Sequence, residues 1–86
     1  MDALYTGAPI FPPVGTDSKF LVQFGYRVQE LRKAKGLSQE AFAAECGLDR
    51  TYISGIERGK RNVSLENLRV IANAMGITLS RLFEGL

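Results

Sequence analysis

The 86-residue chain contains no histidine and no tryptophan, and its only cysteine is Cys46. Without His it lacks the commonest general base and the commonest metal ligand. One thiol can close neither an internal disulfide nor a thiolate metal cluster. No apolar run approaches the roughly 18 residues needed to span a bilayer. The N-terminal segment also lacks the basic stretch that opens a secretory signal peptide. The expectation is a cytoplasmic, non-catalytic protein with no cofactor, no metal and no membrane association. What is present is ordinary for a globular chain, with 45% hydrophobic and 23% charged residues. A mass of 9.5 kDa permits one small domain. Such a domain buries roughly 60% of its unfolded surface and gains from a partner subunit.

Charge is unevenly placed. The formal net charge is +2, but residues 1–17 hold Asp2 and Asp17 and no basic residue, which leaves residues 18–86 the more basic part. Between positions 50 and 61 the cations Arg50, Arg58, Lys60 and Arg61 face only Glu57. This is a modest footprint for a polyanion, and equally what a solvated charged face looks like.

Residues 1–17 contain Gly7, Pro9, Pro12, Pro13 and Gly15 and show no helical period, so they read as an irregular arm. From Ser18 onward the pattern is helical. Leu21, Phe24, Val28 and Leu31 form one apolar stripe, with Asp17 or Ser18 as cap and Gly36 beyond its end. Ser38 caps a short helix that Gly47 stops. Asp49 caps the next, which runs over about 50–58 and has Gly59 after it. Ser64 caps a fourth, with Leu65, Leu68, Ile71, Ala72 and Met75 on one face before Gly76. Thr78 caps a last turn carrying Leu79, Leu82 and Phe83. The expectation is an all-α domain of five helices over 18–86. Helices 2 and 3 are joined by Gly47-Leu48-Asp49, a short glycine-containing turn that suits a helix-turn-helix. Any helical hairpin shares that spacing.

Longer runs carry more. Leu37-Ser38-Gln39-Glu40, Cys46-Gly47-Leu48, Ile53-Ser54 and Ile56-Glu57-Arg58-Gly59-Lys60-Arg61-Asn62 resemble the Xre-type, lambda-repressor-like helix-turn-helix family. So do Ser64-Leu65-Glu66-Asn67-Leu68 and Ala72-Asn73-Ala74-Met75-Gly76. The likeness spans about residues 20–86. The run from Leu48 to Arg58 is also similar to the controller proteins of restriction–modification systems, small dimeric regulators that bind palindromic operators. The arm at residues 1–17 is outside the family pattern.

The resemblance implies that helix 3 enters the major groove with its N-terminal residues at the base edges. Arg50 and Thr51 then stand first in line, with Ser54 one turn on. An Arg can bridge guanine O6 and N7 with two hydrogen bonds. Tyr52 keeps two roles open: a base or phosphate contact, or packing its ring on Arg50. Gly55 is placed on the exposed face, where a missing side chain allows close approach. Gln39, Lys60, Arg61 and Asn62 are the implied phosphate contacts, with Arg58 suited to either role. Arg32 and Glu57 are implied to form a structural ion pair, and Cys46 stands where the family usually has Leu. A C-terminal face of Leu79, Leu82 and Phe83 is implied to join two copies, setting the recognition helices about one DNA turn apart (~34 Å).

These implications describe a homodimeric, sequence-specific DNA-binding regulator that blocks or recruits RNA polymerase according to operator position, with controller-like autoregulation first. A phage-repressor-like or antitoxin-type regulator is the nearest alternative. A protein-interaction module on the same scaffold is the alternative from a different class.

Overall fold

The computed structural model describes residues 18–86; the expected arm at residues 1–17 lies outside them. Five helices follow one another: α1 (Lys19–Ala34), α2 (Gln39–Cys46), α3 (Arg50–Glu57), α4 (Leu65–Met75) and α5 (Leu79–Leu82). There is no strand among the described residues.

Each helix starts for the same local reason. The side-chain oxygens of Ser18, Ser38, Asp49, Ser64 and Thr78 accept from backbone N–H groups of the first turn that would otherwise lack partners. Helix 3 ends at Glu57, one residue earlier than expected, with Arg58 as its cap.

The core gathers one face from every helix. Phe24 and Val28 come from α1, Phe42 and Ala43 from α2, Ile53 and Ile56 from α3. Ile71, Ala72 and Met75 come from α4 and Leu82 from α5. Two sequence expectations need correction. Leu65, expected on the buried face of α4, is 75% exposed, and the buried residues of that helix begin two turns later at Ile71. Leu82, expected at a surface joining two copies, is fully buried within its own domain. Leu79 stays partly exposed at 37%, and the half-buried Phe83 ring stacks on Phe24 at 5.4 Å and Phe20 at 6.4 Å. The short α5 turn therefore splits its apolar residues, sending Leu82 inward and leaving Leu79 and Phe83 at the edge.

Arg27 holds α5 in place from α1. Its guanidinium donates from Nε to the Leu82 carbonyl (3.2 Å) and from Nη2 to the Arg81 carbonyl (2.7 Å). The Arg81 carbonyl also accepts from the backbone N–H of Glu84 (3.1 Å), so the guanidinium adds a second donor at this helix end.

Candidate nucleic-acid interface

The turn between α2 and α3 is set by Gly47, which takes a left-handed φ of +68° that side-chain-bearing residues rarely adopt. The chain then returns sharply enough for the Leu48 N–H to reach the Ala43 carbonyl (2.9 Å). Leu48 packs against the core, and Asp49 caps α3 by accepting from the Thr51 N–H (3.0 Å). Ile53, Ile56 and Glu57 turn inward. The opposite side of α3 is thereby presented outward, with Arg50 and Thr51 exposed and Tyr52 and Ser54 half-buried. The exposed residues sit at the N-terminal end of the helix, where a guanidinium and a hydroxyl can address base edges.

Behind this face lies a hydrogen-bonded chain of four side chains. Arg32 of α1 donates to Glu57 from Nε (2.7 Å) and from Nη2 (3.0 Å), a two-pronged pair. The two side chains are only 8% and 1% exposed. Arg32 also donates to the Leu37 carbonyl (2.7 Å), tying the end of α1 to the approach of α2. The Glu57 hydrogen bond pushes the Arg32 pKa above its already high ordinary value, although burial opposes it. Gln39 continues the chain: its Nε2 donates to Glu57 Oε1 (3.0 Å), and its Oε1 accepts from Arg50 Nη1 (3.3 Å). Expected as a phosphate contact through side chain and backbone, Gln39 has its side chain engaged at both ends.

A second cluster lies along α3, over Tyr52 and Gly55. Gly55, expected to be exposed, is buried, because the aliphatic stem of Arg61 crosses it. A Cβ at residue 55 would lie 2.7 Å from Arg61 Cγ. The Arg61 guanidinium sits 5.2 Å from the centre of the Tyr52 ring, a cation–π arrangement. Tyr52 therefore packs with Arg61, whereas its expected partner Arg50 bonds to Gln39. The Tyr52 hydroxyl accepts from Asn67 Nδ2 of α4 (3.2 Å). Leu48, Asp49, Thr51, Tyr52, Arg61 and Asn67 line an open notch beside the recognition helix. Arg58, Lys60 and Asn62 are exposed.

Sequence reasoning missed Asn67 and the seat that Gly55 provides for Arg61. No short-range spacing signals either, since both depend on α4 and the loop after α3 folding back onto α3. Among the described residues no group of three His, Cys, Asp or Glu side chains could hold a metal ion. Cys46 is half-buried against the core, and burial, together with the neighbouring Glu45 charge, pushes its pKa up to about 11. No helix of the described residues is long and apolar enough to cross a membrane.

A family model described as helix-turn-helix matches residues 28–82. The control protein C.MunI of a Mycoplasma species is 58% identical over 66 residues, covering 76% of this chain and 89% of the relative. The crystal structure of the restriction–modification controller protein C.AhdI from Aeromonas hydrophila is 55% identical. It superposes with a TM-score of 0.75 over 77% of this chain and all of that one. The controller protein C.Esp1396I, solved as a tetramer in complex with its natural 35-base-pair operator, is 37% identical. Its TM-score is 0.73, over 79% of this chain and 90% of that one.

Proposed function

The chain belongs to the Xre-type helix-turn-helix family of transcription regulators, and on that premise we propose that it is a restriction–modification controller. In this reading it binds a palindromic operator upstream of its own gene as a homodimer, in the cytoplasm. The observation that carries the reading is the presentation of α3: one face is locked into the core by Ile53, Ile56 and Glu57, while Arg50 and Thr51 stand free at its N-terminal end.

Arg50 then reads a guanine edge, Thr51 and Ser54 meet neighbouring bases, and Tyr52 meets a base or the backbone. Phosphates are held by Arg58, Lys60, Arg61 and Asn62 after the recognition helix, and by the N–H of Gln39 at the start of α2. With Leu82 inside the core, Leu79 and Phe83 are the part of the C-terminal face left to join two copies. Two copies related by a two-fold axis match a palindrome. A bound dimer then recruits or blocks RNA polymerase according to operator position.

The test is a titration with duplex DNA from immediately upstream of the gene, at ~0.15 M salt and with excess random DNA. Specific binding far below the ~10⁻⁴–10⁻⁶ M of non-specific binding is expected. Equal competition by random DNA would overturn autoregulation, and no binding even at low salt would overturn the DNA reading.

A further inference from the structure

Between α1 and the turn after α5 runs an open groove of about 810 Å³, which shares no lining residue with α2, α3 or the loop after α3. Two large apolar side chains stand in it: Tyr26 of α1 is 66% exposed and Leu86 is 42% exposed. The amides of Gln23 and Gln29 line it as well. Its cations Arg27, Lys33 and Arg81 outnumber its anions Glu30 and Glu84 by one.

The sequence that precedes α1 has the complementary chemistry. Pro9, Pro12 and Pro13 are interleaved with Ile10, Phe11 and Val14, and residues 1–17 carry Asp2 and Asp17 but no Lys or Arg. Proline has a fixed φ and no N–H, so such a stretch favours the polyproline II form, whose backbone carbonyls find no partner within the stretch itself. Grooves that take this form set aromatic side chains against the prolines. Tyr26 supplies a ring of that kind, and the Gln23 and Gln29 amides supply donors for the free carbonyls. The reach agrees too. Gln23 to Lys33 lie five to fifteen residues after Ser18, ~8–22 Å along the helix axis at ~1.5 Å per residue. Val14 to Pro9 lie four to nine residues before it, which spans ~13–30 Å when extended.

We propose that residues 9–14 dock in this groove of their own chain, antiparallel to α1, with Pro9-Ile10-Phe11-Pro12 against Tyr26 and Leu86. The segment then straps the turn after α5 to α1, adding to the tie made by Arg27. A short link holds it near the groove at about millimolar effective concentration, so it needs little affinity of its own. The recognition face stays uncovered, where a segment with two aspartates and no cation would be a poor neighbour for phosphate. The docking does not depend on what α3 binds.

The test is NMR on the full chain. NOEs from the Ile10 and Phe11 side chains to the Tyr26 ring are expected, and a soluble nitroxide should leave that ring sharp. In Ile10→Ser/Phe11→Ser the NOEs should be lost and the nitroxide should broaden the ring, with backbone shifts moving at Gln23, Tyr26 and Leu86. A Tyr26 ring as accessible in the wild type as in the variant would overturn the proposal. So would shifts that move at Arg50 and Thr51 and not in the groove, because the segment would then lie on the recognition face. NOEs found only between differently labelled copies would also overturn it, by placing the segment in the groove of a second copy. Tyr26→Ala approaches from the other side, and Tyr26 is no part of the core. Each variant should lower Tm, and the two together should lower it no further than one alone. Additive losses, or none, would overturn the proposal.

Discussion

Gly25 in the middle of α1 lies directly against the backbone of α3: a Cβ at residue 25 would sit 2.5 Å from the Ile56 carbonyl oxygen and 2.6 Å from that of Glu57. Neither oxygen belongs to a flexible side chain, so α1 and α3 can lie this close only with hydrogen at that position. Gly25→Ala gains roughly 1 kcal/mol of helix propensity, yet it must push the two helices apart and pull Glu57 off Arg32. A net loss of about 1–3 kcal/mol is expected, read as a fall in Tm of about 4–8 °C per kcal/mol for a domain of this size. A variant as stable as the wild type would mean that the helices pack more loosely than this.

What was legible in the sequence and what was not divides along the same line. Ser38, Asp49 and Ser64 announce helix starts, because a cap acts within three residues of itself. Gly47 announces the turn for a similarly local reason. Gly25 announces nothing, since its role is fixed by a carbonyl 31 positions away in α3. The inward side of α5 is not legible, because a single turn of helix has too few residues to show which of Leu79 and Leu82 faces the core. For Tyr52 the sequence leaves open a DNA contact or packing on Arg50, and of cations it offers only that neighbour on α3, whereas the loop after α3 brings Arg61 over the ring. Gln39 was recognisable as a residue near the DNA face. Its engagement with Glu57 and Arg50 depends on the packing of three helices.

The buried Arg32–Glu57 pair makes a distinctive pattern of variants. Removing one partner leaves the other charge desolvated, so Arg32→Met and Glu57→Leu should each lower stability by about 3–5 kcal/mol. The double variant should lose less than the two single losses together, because no buried charge remains. Denaturant unfolding of the four proteins measures this directly. Additive losses would show that the two charges do not depend on each other.

Cys46 is expected to behave as an inert apolar side chain. With its pKa at about 11, about one thiol in a thousand is ionised at pH 8. A disulfide reagent should therefore react slowly with the native protein and fast once it is unfolded. The sign of the linked pH effect follows. The folded state keeps the proton to higher pH than the unfolded state, so the contribution is complete below the ordinary value of 9.0 and is lost as pH rises toward 11. Comparing wild type and Cys46→Ala across that window isolates the effect: the wild type should lose more stability than the variant. Equal losses would refute the buried-thiol account.

Base and phosphate contacts separate by their salt dependence. If Arg50 reads a guanine as proposed, Arg50→Ala should cost about 1–3 kcal/mol of discrimination between the upstream DNA and a duplex altered at that base. Lys60→Ala should weaken binding to upstream and random DNA alike, and lower the slope of log affinity against log salt by about 1. The two variants exchanging these signatures would place the base-reading surface in the loop after α3 instead of at the start of the helix.

The C-terminal edge distinguishes a surface that joins two copies from one that completes a core. Leu79 is 37% exposed and Leu82 fully buried, though they are three residues apart. If Leu79 and Phe83 meet a second copy, Leu79→Glu buries a charge between protomers while leaving the core of each intact. It should shift sedimentation to that of a monomer with helical circular dichroism retained, and weaken operator binding because each half-site must then be filled separately. Leu82→Ala opens a cavity inside the domain and should cost about 2–5 kcal/mol, so helicity and association fall together. Dimers that survive Leu79→Glu would move the two-fold contact to another face. The exposed Leu65 on α4 is then the residue to change next, because it is the most exposed large apolar side chain among the described residues and lies on a different helix.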